Sequence, residues 1–239
     1  MNIQATLEKM KLLRLTNMVR AYRNMSENGM IKNMLPDELL THLVDTEYDS
    51  RQNNRLKILL KEAKLRFPVT VEYVDFSPER NLNKQEVLSL CECGYIEKNQ
   101  NVCITGCTGT GKSYLVSVLG HHACLLKMKV RYLNCLKFFP IIHQSKLDGS
   151  YSKMLKNLNN VNLIILDDFG LAQMNYDIRI AVLEILDDKA GKGSVIVSSQ
   201  LPFVKWHETI GDPTLADSIC DRLMHKSIKI HLQGDSMRK

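Results

Sequence analysis

Glycine is nearly missing from the first quarter of the chain. Gly29 is the only one before residue 67, although the 239 residues hold twelve. A stretch with so few permissive backbone positions favours helices over a turn-rich fold. Apolar runs of about 18 residues are also missing, so no membrane span is expected. The opening MNIQATLEKMKLLRLTNMV is charged and amphipathic, unlike a secretory leader, and a cytoplasmic location is expected. Seven cysteines are an odd number, and several lie in runs that read as core, which excludes a disulfide framework. Cys91 and Cys93 form the closest pair, and buried or surface thiols rather than a zinc site are expected. Internal repeats and low-complexity tracts are absent. The net charge of +6 leans mildly towards a polyanionic partner.

Composition changes near Phe67-Pro68, dividing a helical segment, 1–67, from a segment of alternating strands and helices, 68–239. In the first, Met18, Ala21, Tyr22 and Met25 keep helical spacing. Pro36 suits a first helical turn, with Asp37 and Glu38 at the favourable end of the dipole. Leu39, Leu40, Leu43, Val44 and Tyr48 extend that stripe, and Leu56, Leu59, Leu60, Ala63 and Phe67 form another. Three helices are predicted, the last two open to fusion. Charge is blocked: residues 26–50 carry six acids and one lysine, whereas residues 51–66 carry six Lys/Arg and one acid. Arg51 and Arg55 are four apart, as are Lys57 and Lys61, and Lys64 follows. These five are candidate contacts to a nucleic-acid backbone, the alternative being a solvated helix face paired with the acidic block.

In the second segment, Asn83-Lys84-Gln85-Glu86 is a capping signal for a helix running to about Leu90. Apolar runs at Val102–Thr105, Val130–Leu133, Asn162–Leu166, Ser194–Ser198 and Ile228–Leu232 are separated by helical patterns. Near-continuous apolar strands between helices predict an α/β fold with a parallel sheet covered on both faces.

Gly106-Cys107-Thr108-Gly109-Thr110-Gly111-Lys112-Ser113 fits G-x-x-x-x-G-K-[ST], the P-loop, with Tyr114 next in the nucleotide-binding stretch. Glycines let main-chain amides curl around a phosphate at the positive end of the following helix. Lys112 is expected to reach the β- and γ-phosphates of ATP, and the Ser113 hydroxyl to hold Mg²⁺. A strand precedes the motif, and a helix from Lys112 to about Leu126 is predicted after it. Leu163-Ile-Ile-Leu-Asp167-Asp168 sends two carboxylates from the C-terminal end of a buried strand. Asp167 is assigned to the Mg²⁺ shell and Asp168 to the attacking water. Aspartate is one methylene shorter than the glutamate many ATPases use there, so hydrolysis is expected to be slow or to need a partner that completes the site. The strand Ser194–Ser198 ends near Ser199 and Gln200, either of which could sense the γ-phosphate, with Gln200 preferred.

Arg222, on a helix predicted near 214–225, is read either as a finger inserted into a neighbouring subunit's nucleotide site or as a surface pair with Asp217 or Asp221. His121 and His122 read as a helix face, and Trp206 as packing. Asp75-Phe76 and Tyr95-Ile96 could stack on adenine or be core.

With these motifs in place the chain resembles the IstB family, AAA+ helper ATPases of insertion-sequence transposition near the DnaC helicase loaders and DnaA initiators. The more specific segments are Gln200-Leu-Pro-Phe-Val-Lys-Trp206-His207, Ile210-Gly-Asp-Pro-Thr-Leu-Ala-Asp217, Asp221-Arg222-Leu and Gly234-Asp-Ser-Met-Arg238-Lys. The resemblance implies a five-stranded sheet in the order 5-1-4-3-2, ATP-dependent homo-oligomers on duplex DNA, and delivery of that DNA to a cognate transposase. It favours the DNA-contact reading of residues 51–66 and the finger reading of Arg222. Only seven residues follow Leu232, so the usual helical lid is expected to be absent, with Arg238 a candidate for its arginine. The competing functions are a helicase loader of the DnaC type and an ATP-binding switch that scarcely hydrolyses.

Overall fold

The computed structural model describes residues 2–237. The chain divides into two compact units, Met1–Ile58 and Leu59–Lys239. The division falls inside a helix, upstream of the composition change at Phe67-Pro68.

The first unit is helical. Helix α1 is Ile3–Leu12, capped by the Asn2 side chain, and α2 is Thr16–Glu27. The amphipathic start is thus broken in two, at Arg14, whose φ of 59° no continuing helix allows. The α2 N-terminus lacks a cap from its own N-cap residue, Leu15. Glu47 of α3, Pro36–Ala63, supplies one: its carboxylate accepts from the Asn17 and Met18 amides at 2.9 and 3.2 Å. Burial alone would raise the Glu47 pKa. The hydrogen bonds from Arg51 and these amides outweigh burial and hold it below the usual value. The two stripes expected along residues 36–63 are one continuous helix.

The second unit opens with the end of α3. Asn83 caps α4, Lys84–Cys91, accepting from Gln85 and Glu86 amides as its sequence predicts. A short turn of helix, α5, Gly94–Glu97, leads to β1, Val102–Gly106. Then follow α6, Lys112–Leu125; β2, Val130–Asn134; α7, Cys135–Leu147; α8, Tyr151–Asn159; β3, Leu163–Phe169; α9, Tyr176–Lys189; and β4, Ser194–Ser199. The chain continues through α10, Trp206–Ile210, and α11, Pro213–Met224, to β5, Ile228–Leu232.

All five strands are parallel, in the order β2-β3-β4-β1-β5. This is the expected order read from the other edge. The central strands are buried on both faces, which explains their lack of polar alternation. Trp206 is fully buried between Phe169 and Phe203, each ring 5.1 Å away, and its indole N–H donates to Leu201 O. Truncating it to alanine would cost about 3–5 kcal/mol.

One irregularity shapes the site. The β3–β4 register runs from Leu166↔Val197 to Phe169↔Ser199, so β3 carries one extra residue at Asp167-Asp168. Asp168 takes φ of 60°, a bulge geometry, and both carboxylates come within 3.5 Å of the same Arg66 nitrogen.

Candidate nucleotide-binding site

The C-terminal edge of the sheet gathers the residues expected to handle phosphate. Directly after β1, Gly106 has φ of 151°, and a Cβ there would lie 2.4 Å from Leu232 O of β5. Glycine is therefore required by the neighbouring backbone as well as by the loop's curl. Gly109 has φ of 86°, and a Cβ there would lie 2.2 Å from Ser236 Oγ. The terminal segment thus crosses the loop, and Met237 N–H donates to Gly109 O at 3.0 Å. Gly111, left-handed, sits at the N-cap of α6, so that helix's first amides open onto the loop.

Lys112 is buried, and its ammonium donates to Gly106 O and Cys107 O, both at 2.7 Å. Ser113 Oγ lies 3.3 Å from Arg66 Nη1. Asp167 is fully buried and accepts from Tyr132 Oη, Ser198 Oγ and Arg66 Nη1. Burial and donation to Asp167 push the Tyr132 hydroxyl's pKa up, so it stays protonated as a donor. Asp168 accepts from Asn134 Nδ2 at 2.7 Å and Arg66 Nη1 at 3.5 Å. Gln200 Oε1 accepts from Thr108 Oγ1 of the P-loop.

A cavity of about 410 Å³ lies over this edge, lined by residues 109–115 of the P-loop and the start of α6, and by Arg66, Asp168 and Gln200 on its polar side. Phe67, Tyr73, Val74, Leu82 and Leu232 make an apolar side, and the Phe67 and Tyr114 rings lie 6.1 Å apart. A mostly apolar pocket with converging polar groups suits a nucleotide. For the cation, Ser113 Oγ and Asp167 Oδ2 both lie within 3.4 Å of the same Arg66 nitrogen, so one positive charge reaches both. Oxygen donors of this kind fit a hard divalent ion such as Mg²⁺.

The remaining candidates fall as follows. Ser199 is buried, donating to Phe169 O and accepting from Leu201 N–H, so it faces away from the cavity and Gln200 is the residue on the loop. Arg222 pairs with Asp187 of α9, neither with Asp217 nor with Asp221, because α11 packs against α9. Its carbonyl accepts from Asn101, just before β1, which puts Arg222 at the end of that strand opposite the P-loop. It therefore does not join its own chain's site. Tyr95 and Ile96 are core, with Tyr95 O accepting from Ser194 at the start of β4; Phe76 lies under the Lys84 ammonium, while Asp75 lines the cavity. Arg51 bonds Glu47 and Arg14 O, whereas Arg55, Lys57, Lys61 and Lys64 are exposed. Arg238 lies outside the described residues. Among the described residues no cluster of His, Cys, Asp and Glu makes a metal site of its own, and no helix is long and apolar enough to cross a membrane.

Arg66, Tyr132, Asn134 and Ser198 also bond the two carboxylates, without a local signal in the sequence. Each reaches the carboxylates from a neighbouring strand or from the end of α3, a proximity set by sheet order rather than by sequence spacing.

A P-loop after β1, acids at the end of β3 and a polar residue after β4, in this strand order, define an AAA+ P-loop nucleotide-binding fold. The IstB-like ATP binding protein family matches residues 8–239, and the chain belongs to it. It is 38% identical over 234 residues to the insertion sequence ATP-binding protein y4pL of Sinorhizobium fredii, covering 98% of this chain and 96% of that one. The insertion sequence IS21 ATP-binding protein of Pseudomonas aeruginosa is 26% identical, covering 99% and 88%. Among solved structures, AMPPCP-bound DnaA from Aquifex aeolicus gives a TM-score of 0.61 at 18% identity, over 72% of this chain and 52% of that one. DnaI gives 0.57 at 16%, over 74% and 94%. At such identities the likeness is one of fold.

Proposed function

We propose that this protein is an ATP-hydrolysing helper of insertion-sequence transposition, which assembles on duplex DNA with ATP, presents that DNA to a transposase, and disassembles on hydrolysis. The observation that carries the reading is the joint placement of Lys112, Ser113, Asp168 and Gln200 around one cavity, with the buried Asp167 paired to Arg66 of its wall. The full-length similarity to insertion-sequence ATP-binding proteins supports the biological role.

In this reading the α6 amides and Lys112 hold the β- and γ-phosphates, and Ser113 and Asp167 hold Mg²⁺. The bound ion would offset charge on the phosphate oxygens. Asp168, aimed by Asn134, orients the attacking water and accepts its proton. Gln200 reports the γ-phosphate to the end of β4, and Arg222 of one subunit completes the site of another. Arg55, Lys57, Lys61 and Lys64 offer exposed side chains for phosphate backbone contact. Arg51 adds charge while also bracing Glu47.

One observation favours a second reading, the assembly switch that scarcely turns over. Asp168 Oδ2 already has two partners, Asn134 and Arg66, so that oxygen is engaged before any water reaches it. A single experiment addresses both. Anisotropy of labelled duplex DNA is measured with and without ATP·Mg²⁺, alongside phosphate release. Wild type is expected to bind at least about tenfold tighter with ATP, and Lys112→Ala to lose that gain. Equal DNA binding by Lys112→Ala with ATP would sink both readings. Tight ATP-dependent binding without phosphate release would select the switch.

A further inference from the structure

Three contacts hold the segment that ends α3. Glu62 O accepts from Arg131 Nη1 at 2.9 Å. Leu65 packs over Gly120 of α6 so closely that a Cβ on that glycine would lie 2.7 Å from Leu65 Cδ2. The third is Arg66, whose Nη1 lies 3.3 Å from Ser113 Oγ, 3.4 Å from Asp167 Oδ2 and 3.5 Å from Asp168 Oδ2. Lys64, two residues earlier and directly after α3, takes φ of 54°, so the chain leaves the helix by a sharp left-handed step. The Arg66 guanidinium also lies 5.4 Å from the Phe67 ring, itself part of the cavity wall.

We propose that Arg66 is a resident counter-cation of the nucleotide site. It competes with the divalent ion for Ser113, Asp167 and Asp168, so that loading the ion releases Arg66 and loosens the segment 64–67. This rests on the nucleotide reading above. The argument is one of space and charge. A Mg²⁺ ion binds oxygen at about 2.0–2.1 Å and keeps nearly octahedral geometry. An ion seated on Ser113 Oγ and near Asp167 would lie within a few ångströms of Arg66 Nη1, and the two positive charges repel strongly at that distance. The other two anchors of the segment involve a main-chain carbonyl and an apolar contact, neither of which a cation disturbs. Of the three, the Arg66 anchor alone is sensitive to the ion. Arg66 is thus a positioning residue, coupling metal loading to the end of α3.

The test titrates free Mg²⁺ against a fluorescent ATP analogue bound to the full chain. Arg66→Gln is expected to reach half-saturation at about three- to tenfold lower Mg²⁺ than wild type, with Arg66→Lys close to wild type because it keeps the charge. An unchanged or higher midpoint in Arg66→Gln overturns the proposal. A second measurement uses only wild type, so it does not depend on the variant folding. Hydrogen exchange of amides 64–67 is followed at saturating analogue with Mg²⁺ and with EDTA. Faster exchange with Mg²⁺ is expected, and equal protection overturns the proposal. If wild type binds no nucleotide at all, the reading of the site fails and this inference with it. If it binds and the midpoints coincide, only this inference fails.

Discussion

Cys107 sits between the first P-loop glycine and Thr108 and is the exposed thiol of the seven cysteines; the other six are buried. Burial pushes Cys91, Cys103 and Cys124 up to about 11 and Cys93 to about 12, and raises Cys135 and Cys220 as well. A thiol reacts as its thiolate, so these six stay protonated and shielded at neutral pH. Alkylation at pH 7.5 is therefore expected to modify Cys107 first, and saturating ATP·Mg²⁺ to slow that reaction about tenfold by covering the loop. Peptide mass mapping against time reads both effects. A second cysteine labelled as fast, or no protection by nucleotide, would mean the loop is not covered as described. The same scale separates what sequence reveals from what it hides. The P-loop is legible because its glycines, lysine and serine are contiguous and each has a local reason. Tyr132 and Ser198, which between them satisfy both oxygens of Asp167, are an ordinary tyrosine and serine in apolar strands until the sheet order brings them together.

Strands and helices are legible for a physical reason. A parallel strand buried on both faces needs an apolar run, and a covering helix needs a helical stripe, so β1, β2, β4 and β5 fall within a residue of the runs that announce them. The features that leave no mark in the sequence are those governed by neighbours. The break between α1 and α2 depends on one left-handed residue, Arg14, where no glycine marks it. The continuation of β3 through Phe169 depends on pairing with Ser199. Asn101 is a third case. Its side-chain amide donates to Arg222 O, and its Oδ1 accepts from Val195 N–H at 2.9 Å, so it ties the start of β1 to the end of α11 and the start of β4. Leucine there would leave the Val195 amide and the Arg222 carbonyl without this partner. An unsatisfied buried group costs about 1–3 kcal/mol, so Asn101→Leu is expected to lower stability by about 2 kcal/mol in urea unfolding. Nucleotide affinity should stay unchanged, because the site lies at the far end of β1. A loss of affinity without loss of stability would contradict that separation.

At the scale of the whole molecule, the placement of Arg222 forces a choice. β1 is five residues long, and Arg222 lies by its start while the P-loop follows its end, a separation of about 16 Å along the strand. If Arg222 has any part in hydrolysis, it acts on another copy of the chain. Contacts of this head-to-tail kind build rings or filaments, the forms that the proposed assembly on DNA requires. In the isolated chain Arg222 is held by Asp187, an exposed pair worth little, so releasing it to a neighbour's γ-phosphate is cheap. Two variants fail in complementary ways. Arg222→Ala keeps its own P-loop and Asp168 but offers no finger, whereas Asp168→Asn offers a finger but does not activate water. Each alone is expected to lose ATP turnover by on the order of a thousandfold. Mixed in equal amounts on duplex DNA, random assembly pairs an intact site with an intact finger at about a quarter of the interfaces, so roughly a quarter of the wild-type rate should return. Phosphate release measured across mixing ratios should peak near equal amounts and rise with total protein concentration. Mixtures as inactive as their components would leave Arg222 as the surface partner of Asp187 and nothing more.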